Sequence, residues 1–151
     1  MKALSGSATR VVAAPIEQCF DLLEAVDGYP SWHPDVVREV EVLDRSGDGV
    51  ATRARTTLHV VAGRVSKDFH LIMAVVTARP TTVTLTRLKH EPPDREEFEV
   101  RWRLASSGAG TRIELGIDAN LSVPRVIPLG GIGDAMASGF IAAAARALGA
   151  P

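Results

Sequence analysis

The residues in this chain that could carry out chemistry are four histidines, one cysteine and a few charged side chains. His33, His59, His70 and His90 are scattered, and no two of them have the spacing of metal ligands. Histidines without such partners belong on the surface or in loops. We therefore predict neither a metal site nor a cofactor.

The cysteine is not expected to be a nucleophile. Cys19 recurs at helical spacing with Ile16, Phe20 and Leu23, which places it on an apolar face and predicts an inert core thiol. The serines lie mostly in turns and show no nucleophile motif. The sequence predicts no assembled catalytic set.

A glycine-rich segment, Gly130-Gly131-Ile132-Gly133, precedes the last helical pattern. A helix N-terminus can bind an anion, but this segment follows prolines rather than a buried parallel strand and lacks Gly-Lys-Ser/Thr. A flexible entry to the helix is the favoured interpretation.

Arg87 is the polar residue that bears most on ligand binding. If Val83 and Leu85 face inward, so does Arg87; in the opposite phase Arg87 is a surface residue. The first phase keeps the larger apolar side chains inside and is favoured. Arg87 could then reach a ligand carboxylate or carbonyl at the mouth of a cavity, although solvent or a pair with Glu97 or Glu99 is the more frequent outcome for such a side chain.

Trp32 and His33 lie in a proline-rich segment, Tyr29-Pro30-Ser31-Trp32-His33-Pro34. Trp32 is expected to anchor a short helical turn over the open end of a sheet, and it can also form the rim of a pocket. His33 is expected on the surface.

Length and composition place the chain among ordinary globular domains. With 151 residues, 46% hydrophobic, 23% charged and a net charge of −1, it is predicted to form one domain over residues 1–151. The near-neutral charge favours no nucleic-acid partner, and no apolar run is long enough for membrane insertion. The unpaired Cys19 and the absence of a signal-peptide pattern predict a cytoplasmic protein. A homodimer is compatible with the sequence.

Two periodicities order the chain. Residues 7–13 read as a first strand, and a helical pattern follows from Ile16. Period-two alternation then predicts strands over 36–43, 50–61, 65–77, 82–88, 97–104 and 112–119. The strand at 97–104 is the clearest, with its apolar residues expected inside and Glu97, Glu99, Arg101 and Arg103 largely exposed. Such short spacing leaves no room for crossover helices, so the sheet is antiparallel.

A long C-terminal helix is predicted over residues 129–148. It carries few charges and is therefore expected to be largely covered. The one-sided sheet needs a cover, and this helix is the long element available. The predicted fold class is α+β, a curved antiparallel sheet of about seven strands around this helix, with one or two short helices after the first strand.

Three stretches of sequence carry a resemblance to a known family. They are residues 12–21, the segment at 29–34, and Gly110-Thr111-Arg112-Ile113-Glu114-Leu115. The chain resembles the helix-grip superfamily of START-type domains, and within it the bacterial polyketide cyclase/dehydrase and lipid-transport group (SRPBCC-like). The resemblance implies a cavity between the sheet and the C-terminal helix.

The small residues of the helix permit two outcomes, a closed gap or a space for a ligand, and the second is favoured. Gly139 is expected in the middle of that gap. The residues expected to bind the ligand face it from both sides: Trp32, Thr56, Leu58, Phe69, Leu71, Leu85, Arg87, Phe98, Val100, Trp102, Met136, Gly139 and Phe140.

Three functions follow from these expectations. The leading one is binding or transport of a small hydrophobic molecule, such as a lipid, isoprenoid or polyketide-like compound, without catalysis. The second is an enzyme of cyclase or dehydratase type in which Arg87, His70 or His90 reaches the cavity and moves protons. The third is a protein-interaction domain with a closed cavity.

Overall fold

The computed structural model describes residues 2–122 and 130–149. The chain forms the strands β1 (Lys2–Val12), β2 (Val37–Arg45), β3 (Ala51–Ala62), β4 (Val65–Ala78), β5 (Thr82–Arg87), β6 (Glu97–Ser107) and β7 (Gly110–Leu121). The α-helices are α1 (Ile16–Glu24), α2 (Tyr29–Trp32) and α3 (Ile132–Ala147), and a 3-10 helix (Val26–Gly28) precedes α2.

The strands form one antiparallel sheet in the order β1-β7-β6-β5-β4-β3-β2. Consecutive strands from β2 to β7 are neighbours, and β1 closes onto β7 over its whole length, from Lys2 opposite Leu121 to Val12 opposite Thr111. This pairing extends β1 beyond the predicted residues 7–13, because residues 2–6 become a strand through tertiary pairing. The predicted α+β class and the short helices after β1 are confirmed.

The inner face of the sheet follows the predicted phase. Phe98, Val100, Trp102 and Leu104 are buried, and Trp102 is completely inaccessible. These β6 residues lie opposite apolar residues of β7, for example Trp102 opposite Leu115. These cross-strand pairs form the centre of the core.

The outer face of β6 differs from the expectation in two places. Glu97 and Arg103 are exposed as predicted, but Glu99 and Arg101 are half-buried. The Arg101 guanidinium contacts Glu99 at 2.7 Å and Asp118 at 2.7 Å. These ion pairs hold the side chains flat against the sheet.

The C-terminal helix α3 crosses the inner face and packs mainly on β1. Its covered side includes Met136, Phe140 and Ile141, so the expectation of a largely covered helix is confirmed. The predicted start at Leu129 lies outside the described residues. The helix α1 buries Cys19, Phe20 and Leu23, as the helical spacing predicts.

Two glycines allow α3 to approach β1 at backbone distance. A Cβ atom on Gly133 would lie 2.1 Å from the Ser5 carbonyl oxygen, and one on Gly6 would lie 1.9 Å from the Gly133 carbonyl carbon. The Ser7 N–H donates to Asp134 Oδ1 at 3.0 Å. The glycine-rich segment therefore has a packing role at Gly133, where the helix begins.

Candidate functional site

Two apolar hollows lie between the sheet and α3, one on each side of Phe98. The inner hollow is lined by Tyr29, β2 and β3 residues, Val100 and Phe140, and the outer hollow by the β3–β4 hairpin, Leu4, Leu121 and Met136. Phe98, on β6, lines both. Each hollow has a volume of about 30 Å³, the room of about one water molecule.

The inner hollow offers no free polar group among its lining residues. The Thr56 hydroxyl donates to the Leu71 carbonyl at 3.2 Å, and the Tyr29 hydroxyl donates to the Leu23 carbonyl at 2.6 Å. Burial raises the pKa of Tyr29 well above its usual range. The phenol is therefore neutral, and the hollow is suited to hydrocarbon.

The outer hollow has two lysines at its wall, Lys2 and Lys67. The Lys67 ammonium lies 4.8 Å from the centre of the Phe69 ring and donates to the Ser122 carbonyl at 3.0 Å. Both Lys67 and Phe69 line this hollow, together with Lys2 and Ser66. The outer hollow is thus apolar within and basic at its rim.

Most of the residues predicted to bind a ligand line these hollows. They are Thr56, Leu58, Phe69, Leu85, Phe98, Val100, Met136 and Phe140. The sequence did not single out Leu4, Tyr29, Val37, Val40, Val60, Met73 or Leu121, which line them as well. The alternation of β2 and β3 contained a signal for the valines, whereas Leu4 required the extended β1.

Five predicted residues line neither hollow. Leu71 and Trp102 are buried in the close-packed core, and Arg87, Trp32 and Gly139 lie elsewhere. A Cβ atom on Gly139 would meet the His33 ring at 3.9 Å. Gly139 therefore faces the segment after α2 and does not lie in the middle of the gap.

Arg87 faces inward, in the favoured phase, but it is engaged by a residue that the sequence did not indicate. Its guanidinium binds both carboxylate oxygens of Asp94, at 3.0 and 2.8 Å, and the Glu96 carbonyl at 2.7 Å. Asp94 also accepts hydrogen bonds from the backbone N–H groups of His90 and Glu96. The hydrogen bonds from Arg87 hold the pKa of Asp94 far below its usual range. The pair fixes the β5–β6 loop and engages the Arg87 guanidinium in three hydrogen bonds that compete with a ligand.

His33 is buried, and the expectation of a surface histidine was wrong. Its ring packs edge-on against Phe140 with 4.6 Å between ring centres, and among the described residues Nε2 has no hydrogen-bond partner. The neighbouring Trp32 ring lies nearly parallel to the His33 ring and 4.8 Å from the Tyr29 ring. Its indole N–H has no hydrogen-bond partner within residues 2–122 and 130–149. The short helix α2 is held to α3 through this aromatic group.

The aromatic group extends to the sheet through Trp102, whose ring contacts Phe140 edge-on at 6.2 Å. Burial raises the pKa of Tyr29, and the nearby Trp102 N–H opposes part of this rise. The pair nevertheless does not have the geometry of a hydrogen bond. The interior between α2, α3 and β6 is therefore aromatic, with polar atoms that lack strong partners.

The other histidines do not reach the hollows. His70 is exposed and pairs with the Thr57 hydroxyl at 3.2 Å, His59 contacts Asp68 at 2.6 Å on the same side of the sheet, and His90 is exposed. Cys19 is buried, and burial raises the pKa of its thiol. Across residues 2–122 and 130–149, no group of three or more His, Cys, Asp or Glu residues is placed to hold a metal ion. Within the same ranges, no helix has the length and apolar character needed to cross a membrane.

The antiparallel sheet wrapped around α3 defines a helix-grip domain. The family model for polyketide cyclase/dehydrase and lipid transport matches residues 3–150. The chain belongs to this family. No curated protein matches the sequence significantly.

Solved structures share the fold at low sequence identity. A START superfamily protein from Mycobacterium smegmatis is 18% identical with a TM-score of 0.76, and the match covers 96% of this chain and 97% of that one. The Zhui aromatase/cyclase from Streptomyces sp. R1128 is 19% identical with a TM-score of 0.56, covering 98% and 87%. The di-domain aromatase/cyclase BexL is 12% identical with a TM-score of 0.70, covering 99% of this chain and 51% of BexL. These likenesses establish the fold.

Proposed function

We propose that this protein binds a small hydrophobic ligand between the sheet and α3 and does not transform it. The observation that carries the proposal is the pair of apolar hollows on either side of Phe98, inside the grip of the sheet. Apolar hollows with satisfied polar groups favour apolar ligands. The family supports ligand binding in general, and the ligand class is our inference.

Binding requires side chains to move. Volumes of about 30 Å³ cannot hold a lipid or polyketide-like molecule, so the described conformation is the closed one. Met136 and Phe140 border the hollows from α3, and Phe98 borders them from the sheet. Rotation of such side chains joins the hollows, and a ligand that binds the open form shifts the population toward it.

A cyclase or dehydratase needs a titratable group at the ligand, and the candidates from the sequence do not supply it. Arg87 is paired with Asp94, and His70 and His90 are exposed. Tyr29 lines the inner hollow, but burial raises its pKa and its proton is donated to a carbonyl. This arrangement favours a binding role over acid–base catalysis.

The proposal is tested with an environment-sensitive apolar fluorophore and a matched pair of variants. Val40 and Val42 lie on the same face of β2, both partly buried against the core, and only Val40 lines the inner hollow. We expect the parent protein to bind one fluorophore per chain. Val40→Phe should weaken binding by roughly tenfold or more, because its ring fills the hollow, whereas Val42→Phe should bind like the parent.

Two results would count against the proposal. A parent protein that binds no fluorophore would favour a protein-interaction domain with a closed interior. Equal binding by both variants would place the fluorophore outside the grip. Circular dichroism of both variants checks that each remains folded.

A further inference from the structure

We propose that the two hollows are the halves of one chamber for a single-chain amphiphile with an anionic head, and that Phe98 is the partition that sets the chain length. The inference rests on the proposed function and adds the ligand class and its orientation. The head would lie at Lys67 and the hydrocarbon tail would pass Phe98 into the inner hollow.

The tail end follows from the chemistry of the inner hollow. Its two hydroxyl groups, on Thr56 and Tyr29, already donate hydrogen bonds to backbone carbonyls. A polar ligand group placed there would lose its water without gaining a donor, which is costly in an apolar site. The inner end of the ligand is therefore hydrocarbon.

The head end follows from the charge at the outer hollow. Within the described part of the chain, Lys67 binds a carbonyl and an aromatic face and forms no ion pair with a carboxylate. Lys2 lines the same hollow, and Arg64, exposed in the β3–β4 hairpin, adds a further cation at this end of the sheet. The nearby Glu96 carboxylate accepts the Ser122 N–H at 3.0 Å. An anionic head would give Lys67 the charged partner that these residues do not provide.

The partition follows from the position of Phe98. Its side chain is 3% exposed and borders both hollows. A short chain requires the outer hollow alone to open, whereas a long chain must also displace the Phe98 ring. Phe98 is therefore a specificity-determining residue for chain length.

The headgroup is tested by displacement of the fluorophore with dodecanoate, dodecanol and dodecylamine. We expect dodecanoate to bind most tightly, with a preference over dodecanol of roughly three- to tenfold, and dodecylamine to bind most weakly. Lys67→Met should reduce the preference for the carboxylate, because Lys2 and Arg64 are the cations that remain at this end of the sheet. Lys89→Met is the matched control, because Lys89 pairs with Glu97 at 3.2 Å and lines neither hollow. It should keep the preference.

The partition is tested with octanoate and hexadecanoate. Phe98→Leu should raise the affinity for hexadecanoate relative to octanoate, and Phe98→Trp should lower it. Val40→Phe shortens the inner hollow from another strand and should also disfavour hexadecanoate. It keeps the chain-length test available if a Phe98 variant does not fold.

The outcomes separate this inference from the proposed function. If the fluorophore binds but carboxylate and alcohol bind equally, or if chain-length preference is unchanged in these variants, the amphiphile and its partition are wrong and the binding function stands. If neither the fluorophore nor any chain binds, the proposed function fails and this inference fails with it.

Discussion

At the scale of single residues, His33 is the side chain whose environment departs most from expectation. It follows α2 and packs on Gly139 and Phe140 of α3, and Nε2 has no hydrogen-bond partner in the part of the chain that the structure describes. Burial lowers its pKa, Asp35 opposes this effect and Arg146 adds to it. The neutral imidazole therefore belongs to the folded state.

This environment predicts a loss of stability in acid. Because the pKa of His33 is lower in the folded than in the unfolded chain, the unfolded chain binds more protons below pH 6.5. The contribution of His33 to the free energy of unfolding is complete above that pH. It is lost as the pH falls toward the pKa of His33 in the folded chain. Denaturant midpoints measured across this range should fall less steeply for His33→Phe than for the parent protein. His90→Phe, at an exposed histidine, should keep the parent slope, and equal slopes in all three proteins would contradict the assignment.

At the scale of elements, two glycines of the same helix have opposite roles. Gly133 lies against the β1 backbone, where a Cβ atom would come 2.1 Å from the Ser5 carbonyl oxygen. Gly139 has ordinary contact space, with the nearest His33 atom at 3.9 Å. The Gly133 contact holds the start of α3 on the edge of the sheet, and Gly139 only fills the space below His33.

The same substitution should therefore have different effects at the two sites. Gly133→Ala should destabilise the fold by about 1–3 kcal/mol or more, because α3 must move away from β1. Gly139→Ala should be neutral or stabilising by up to about 1 kcal/mol, since alanine is the better helix former. Urea unfolding of both variants measures the difference. A destabilised Gly139→Ala together with an unaffected Gly133→Ala would refute the described packing of α3.

At the scale of the whole molecule, patterns that depend on one element were predictable and contacts between distant elements were not. The alternation of Phe98 and Trp102 with charged residues correctly predicted the face of β6, because period two is a property of the strand itself. The face that Gly139 presents depends on how Gly133 and Gly6 set the rotation of α3. The pairing of Arg87 with Asp94 likewise depends on how the β5–β6 loop folds back.

The lining of the candidate site was predictable to the same degree. Inward-facing residues such as Leu58, Phe69 and Leu85 follow from strand phase, and they line the hollows. The division of the gap by Phe98 follows from side-chain packing across the sheet, which has no local sequence pattern. The size of a cavity is the small difference between the space that the sheet and α3 enclose and the volume of the side chains that fill it. Composition alone therefore could not decide between a closed gap and a space for a ligand.

The central claim is that the protein binds an apolar molecule between the sheet and α3. Native mass spectrometry of the protein purified from its own host tests this claim most directly. We expect a species heavier than the chain by the mass of one bound amphiphile, and we expect Val40→Phe to carry less of it than Val42→Phe. A protein that retains no ligand, and takes up none when mixed with lipid extract from that host, would contradict the account.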